Sequence, residues 1–187
     1  MSCITVKGQI KEAMGDSNHR IGLQIGRANA FQLNRTYEYD ANLFQIQYFY
    51  NLLHRGKFTL DLLTQPQVNI TEFRFLSSWP IKSKSIEFGV NLGVVFRLNL
   101  FDDLVGLYAA GSIGPHYLSR APNRQADGFI FSDNVFVGSH LKIHRNIYFD
   151  FRIGLRHISN AGLKDPNAGI NNFIISGGFL INLVDKN

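Results

Sequence analysis

Between Ile86 and Leu100 the chain alternates apolar with small or polar residues over fifteen positions, and this run constrains the fold more than any other feature. Ile86, Phe88, Val90, Leu92, Val94, Phe96 and Leu98 fall on one face. Glu87, Gly89, Asn91, Gly93, Arg97 and Asn99 fall on the other, with Val95 the exception. Successive side chains of a strand point to opposite sides, so this period reads as one strand with one apolar face. Strands of soluble sheets average about five or six residues, whereas a tilted strand of about 9–11 residues crosses a bilayer. No stretch of the 187 residues approaches the roughly 20 apolar residues of a membrane helix. A chain that crosses by strands must close into a barrel, because only closure pairs every backbone N–H and C=O in the absence of water.

The same alternation, broken by turn-forming residues, predicts strands over His19–Ala30, Ala41–Leu53, Lys57–Val68, Ser85–Leu100, Leu104–Leu118, Asp127–Ile143, Asn146–His157 and Asn171–Val184. Their connections sort by length. His54-Arg55-Gly56, Phe101-Asp102-Asp103 and His144-Arg145 are short, while 31–40, 69–84, 119–126 and 158–170 are long. Strict alternation of short and long links is the pattern of bacterial membrane barrels, with short periplasmic turns and longer outer loops. The expected fold is all-β: a single domain over 1–187 forming an eight-stranded antiparallel transmembrane β-barrel, with 1–18 as an N-terminal extension or short helix. A soluble lipocalin-like barrel is the competing fold. Met1–Ala13 favours it, since it has no continuous apolar stretch of the kind a signal peptide carries.

Parity assigns the inside of such a barrel. Asp61, Glu87, Arg97, Asp150, Arg152 and Arg156 would point inward with Gln24, Asn91 and Tyr148, and opposite charges there can pair and fill the lumen. Tyr37, Tyr39 and Trp79, read as loop residues, are expected at the membrane interface. A net charge of +5 without any basic run describes a mildly basic surface and excludes a nucleic-acid binder. The single Cys3 excludes an internal disulfide. There is no metal-ligand spacing, phosphate loop or dinucleotide fingerprint, so neither metal nor cofactor is expected.

The seventh strand carries the chemistry. Ile147, Phe149, Phe151, Ile153 and Leu155 form its apolar row, and continuing the period puts His157 and Ser159 on that same outer face. An imidazole two residues from a hydroxyl suits a base and a nucleophile, although a rim histidine is more commonly an interface anchor. The longer string His157-Ile158-Ser159-Asn160-Ala161-Gly162-Leu163-Lys164-Asp165-Pro166-Asn167-Ala168-Gly169-Ile170 resembles the signature of the PagL-type lipid A 3-O-deacylases. That pattern is His-x-Ser-Asn, a small-residue pair, a Lys, Pro-Asn, and Gly-Ile before the last strand.

The resemblance implies an outer-membrane esterase that removes an ester-linked acyl chain from lipid A in lipopolysaccharide. It implies Ser159 as nucleophile, His157 as general base, and Asn160 with the Gly162 N–H as oxyanion donors. Lys164 could meet a lipid A phosphate. The family places a Glu after the Gly-Ile pair to orient the histidine; here that slot is Asn171, whose parity again puts it on the outer face. An Asn carbonyl can accept the imidazole N–H but lacks the charge that stabilises imidazolium, and exchanging the acid for its amide in a serine protease costs about 10⁴ in rate. Glu87 and Asp150 point the wrong way to substitute, whereas Asp165 lies in the loop. The resemblance therefore leaves two outcomes: a lipid A esterase, or a barrel of the same fold without activity.

Overall fold

The computed structural model describes residues 18–31, 37–75 and 82–183. Among them are eight strands: β1 His19–Ala30, β2 Tyr37–Arg55, β3 Phe58–Phe75, β4 Ser83–Leu100, β5 Val105–Leu118, β6 Gly128–His144, β7 Ile147–Ser159 and β8 Ile170–Asn182. Each pairs antiparallel with the next, and β1 closes on β8, so no edge is left open. The expected N-terminal extension or helix and Trp79 lie outside the described residues.

The short turns have a local cause. Gly56 takes φ +60, and Phe101, Asp102 and Asp103 all take positive φ. A Gly adopts that region freely and Asp tolerates it, which lets the chain reverse tightly. All three short turns lie at one end of the barrel and the longer connections at the other.

β2 and β3 run further out than the alternation predicts. β2 starts at Tyr37 rather than Ala41, and β3 ends at Phe75 rather than Val68. Glu38, Asp40, Glu72 and Arg74 look like loop residues in sequence. Across the two strands, however, Glu38 is the register partner of Arg74, and the Arg74 guanidinium donates two bonds to its carboxylate at 2.6 and 2.7 Å. Opposite charges in register hold the ribbon in extended form.

This extension corrects the reading of Tyr37 and Tyr39. Both are buried inside the barrel rather than placed at the membrane interface. With Ala28, Leu43, Phe73, Leu118, Ile130, Ile158 and Ile170 they form an apolar plug toward the long-loop end. A second cluster of Phe49, Leu63, Val95, Tyr108, Tyr148 and Leu180 fills the lumen toward the short turns, which accounts for the apolar Val95 in a polar row.

Charged pairs occupy the remaining interior as parity predicts. Arg20 donates to Asp61, and Arg156 donates to Glu87. Asp150 accepts from Tyr108 at 2.6 Å and from Gln24 at 3.0 Å. The lumen is a packed core, not a pore.

The outside is the inverse. Leu23, Ile25, Phe44, Phe88, Leu92, Phe96, Leu107, Val135 and Phe179 all face outward and are exposed. Soluble monomers rarely expose apolar patches beyond a few hundred Å², so a continuous girdle of this kind requires lipid around it and removes the soluble lipocalin-like alternative.

Candidate active site

His157 and Ser159 end β7 on its outward side, both half-buried. The β7–β8 register pairs His157 with Asn171, which also faces out. Their side chains meet: His157 Nδ1 lies 2.6 Å from Asn171 Oδ1. An amide oxygen only accepts, so Nδ1 carries the proton and Nε2 is left as the basic nitrogen. The ring is seated on Gly169. That residue has φ +66, and a Cβ placed on it would stand 2.5 Å from His157 Cε1. No other residue type combines that backbone angle with so close an approach to the imidazole.

The loop from 160 to 169 is tied to itself and to its neighbour. Ala161 and Gly162 both take positive φ, which turns the chain sharply after Asn160. Asn160 is 1% exposed. Its backbone N–H donates to Asn167 Oδ1 at 2.9 Å, its side-chain amide donates to the Lys164 carbonyl at 2.5 Å, and its Oδ1 accepts the Gly162 N–H at 3.0 Å. The two residues implied as oxyanion donors are thus bonded to each other inside the loop.

From the adjoining connection, Gln125 bridges to Asn167, Ala126 N–H donates to the Pro166 carbonyl at 2.7 Å, and Ala168 N–H donates to the Arg124 carbonyl at 2.9 Å. Arg124 also donates from its side chain to the carbonyls of Ala168 and Gly169, each at 3.0 Å. The seat of His157 is therefore clamped by a segment far from it in sequence. Lys164, considered for phosphate contact, places Nζ 3.1 Å from Asp127 Oδ1 at the surface. Glu87 and Asp150 are inside the barrel, as their parity requires, and Asp165 is exposed in the loop.

Below His157 an outward-facing groove of about 480 Å³ is walled by Ile113, Val135 and Leu155, with Asp133, His157 and Asn171 at its polar end and Phe31 beside them. Phe31 is fixed there by its N–H, which donates to the Asn171 carbonyl at 2.8 Å. Its lining is apolar along the wall and polar at the His157 end. It opens onto the outward, lipid-facing wall.

The sequence alone does not single out Arg124, Gln125, Phe31 or Asp133. For the first three no local signal exists, because their roles come from contacts between loops and strand ends. Asp133 did carry a signal: it interrupts the outward row Phe129, Phe131, Val135 and Val137 of β6 with a carboxylate.

Comparison with known proteins agrees with this architecture. The sequence model of the family described as "Lipid A 3-O-deacylase (PagL)" matches residues 44–179, more than half of the chain. Among solved structures, the fold is similar to that of the outer membrane enzyme PagL, with a TM-score of 0.60 at 16% identity over 87% of this chain and 99% of that one. It is also similar to Neisserial surface protein A (NspA), with a TM-score of 0.55 at 12% identity over 89% of this chain and 98% of that one. At these identities the structural likeness establishes the fold, a small outer-membrane barrel. No curated protein matches the sequence.

Proposed function

Because this chain belongs to the lipid A 3-O-deacylase (PagL) family and folds as an outer-membrane barrel, we propose that it is an esterase that removes an ester-linked acyl chain from lipid A. The observation that carries this reading is the 2.6 Å contact of His157 Nδ1 with Asn171 Oδ1, made two residues from Ser159 and at the head of an apolar groove.

In this mechanism the acyl chain lies along Ile113, Val135 and Leu155 and brings its ester carbonyl to Ser159. His157 Nε2 takes the Ser159 proton as Oγ attacks the carbonyl carbon. The resulting oxyanion takes the place of Asn160 Oδ1 as acceptor of the Gly162 N–H, and the Asn160 amide turns its second hydrogen toward it. Such donors act most strongly where water is excluded. As the tetrahedral intermediate collapses, the bond between the acyl carbon and the sugar oxygen breaks and imidazolium gives its proton to that departing oxygen. A water, deprotonated by the same Nε2, then attacks the acyl carbon, the bond to Ser159 Oγ breaks, and imidazolium returns the proton to Oγ as the fatty acid leaves. If the short turns face the periplasm, as in bacterial barrels generally, the site stands at the outer leaflet.

A barrel of the same fold without activity is the reading that Asn171 favours. Fatty-acid release from purified lipid A by the detergent-refolded protein separates the two. The esterase reading expects release by the wild type and loss of at least about 10³-fold in both Ser159→Ala and His157→Ala, since a nucleophile and its base act as a unit. No release by a correctly folded wild type, across lipid A species differing in acyl length, would leave the inactive barrel.

A further inference from the structure

We propose that Asp133 is a positioning residue for His157 and supplies the negative charge that Asn171 lacks. This inference rests on the esterase reading of the same site.

The cross-strand register makes the two residues neighbours. Asp133 on β6 is the Cα partner of His157 on β7, and Asn171 on β8 is the partner on the other side. His157 therefore lies between an acid and an amide in one outward row. Directly paired residues on one face have Cβ atoms about 4.5–5.5 Å apart. Both Asp133 and His157 line the polar end of the groove.

The surroundings of Asp133 make its presence informative. Its Oδ1 is buried with no hydrogen-bond partner. Each other acid of the strands has at least one oxygen matched: Asp61 by Arg20 and Arg97, Glu87 through Oε1 by Arg156 and His116 although its Oε2 is also unpartnered, and Asp150 by Tyr108 and Gln24. Toward the loops, Asp40 faces Arg27, Glu38 faces Arg74, and Glu72 faces Lys82 and Lys84. A carboxylate on a lipid-facing row, with one buried oxygen unbonded, is costly to maintain. The cost is offset if the neighbouring imidazole becomes a cation during the reaction.

The division of labour follows. Asn171 accepts the Nδ1–H and fixes tautomer and ring orientation. Asp133, from the opposite side, stabilises the imidazolium that forms when Nε2 takes the Ser159 proton. The groups facing His157 are Asp133 from β6, Asn171 from β8, the Gly169 backbone from the loop, and Phe31 beyond Asn171. Arg156, next in sequence, points into the lumen and is matched there by Glu87. Removing the Asp133 charge disfavours the protonated ring, so the acidic limb of the activity profile should move to lower pH.

The test uses the refolded full chain in detergent micelles with purified lipid A, comparing wild type, Asp133→Asn, Asn171→Glu and the double variant across pH. Asp133→Asn should lower kcat by about 10²-fold, less than the roughly 10⁴ of a directly bonded acid, with KM within about twofold and the acidic limb displaced downward. Asn171→Glu should raise kcat more in the Asp133→Asn background than in the wild type, because the two positions supply the same charge. If the Asn variant does not refold, Asp133→Glu, which keeps the charge, should retain most of the activity, while Asp133→Ser should show the loss and the displaced limb.

A second readout does not depend on turnover. NMR titration of the His157 ring, assigned with His157→Ala, should show it losing its proton at lower pH in Asp133→Asn than in wild type. That displacement, even in a barrel that releases no fatty acid, would support the charge coupling while refuting the esterase reading. Wild-type kcat and an unmoved ring titration in Asp133→Asn would overturn the proposal and leave the esterase reading standing.

Discussion

His116 and His157 each sit against a side-chain oxygen, and their surroundings differ. In the lumen, His116 Nδ1 is 2.5 Å from Glu87 Oε1, while Nε2 is 3.0 Å from Asn91 Oδ1 and 3.2 Å from Gln67 Nε2. Glu87 is further matched by Arg156, and both the His116 and Glu87 side chains are fully buried. On the outer wall, His157 touches an amide rather than an acid, through Nδ1. By residue type the lumen pair is the better catalytic dyad. By geometry it is not, because both ring nitrogens are engaged and packed side chains seal it from any substrate. Among the described residues His157 bonds through Nδ1 alone and opens onto an apolar groove, where the proposed acyl chain would lie. A site is defined by an uncommitted atom with access to substrate, and a saturated pair of the same groups is structure.

Three substitutions can break or sharpen that comparison. The largest effect should come from the lumen. Glu87→Gln leaves Arg156 buried without its counter-charge, and breaking a buried pair from one side costs about 3–5 kcal/mol. The urea midpoint of the refolded barrel should fall accordingly, with fatty-acid release per folded molecule unchanged. Lost activity at unchanged stability would show that the lumen takes part in the chemistry and erase the distinction.

Next is Gly169→Ala. A methyl group 2.5 Å from His157 Cε1, on a backbone at φ +66, must displace the ring. A displacement of about 1 Å in a reacting group costs about 10²-fold in rate. That fall in kcat should come with a stability loss of only about 1–3 kcal/mol from local strain. Full activity in Gly169→Ala would show that the imidazole can shift on its seat without loss of chemistry.

The smallest effect is expected from Arg124→Ala, which frees the carbonyls of Ala168 and Gly169 while leaving their backbone bridge intact. Loop precision should decline and kcat with it, by about tenfold, a partial form of the same misplacement. Fatty-acid release assays and a thermal unfolding scan on one preparation would show whether activity declines before stability does.

The parts legible in the sequence are those governed by period two. Alternation put Glu87, Asp150 and Arg156 inside, and His157, Ser159 and Asn171 outside, because side-chain direction in a strand is a local property of the backbone. Loop lengths sorted the two ends for the same reason: each turn is written in its own few residues, as at Gly56 and Asp102. Tyr37 and Tyr39 read as loop residues in sequence because their polar neighbours Glu38 and Asp40 resemble a loop; only the pairing of Arg74 with Glu38 shows the strand.

What the sequence by itself determined is thus the face each residue occupies, together with the motif around His157. Only the tertiary structure decided the neighbours. That Asp133 stands beside His157 depends on the β6–β7 register, which shifts between Lys142 and His144. That Arg124 braces Gly169 depends on two loops meeting above the closed barrel. Facing is set within one strand, whereas adjacency is set by turn geometry, bulges and closure acting on several strands together, and no local pattern encodes it.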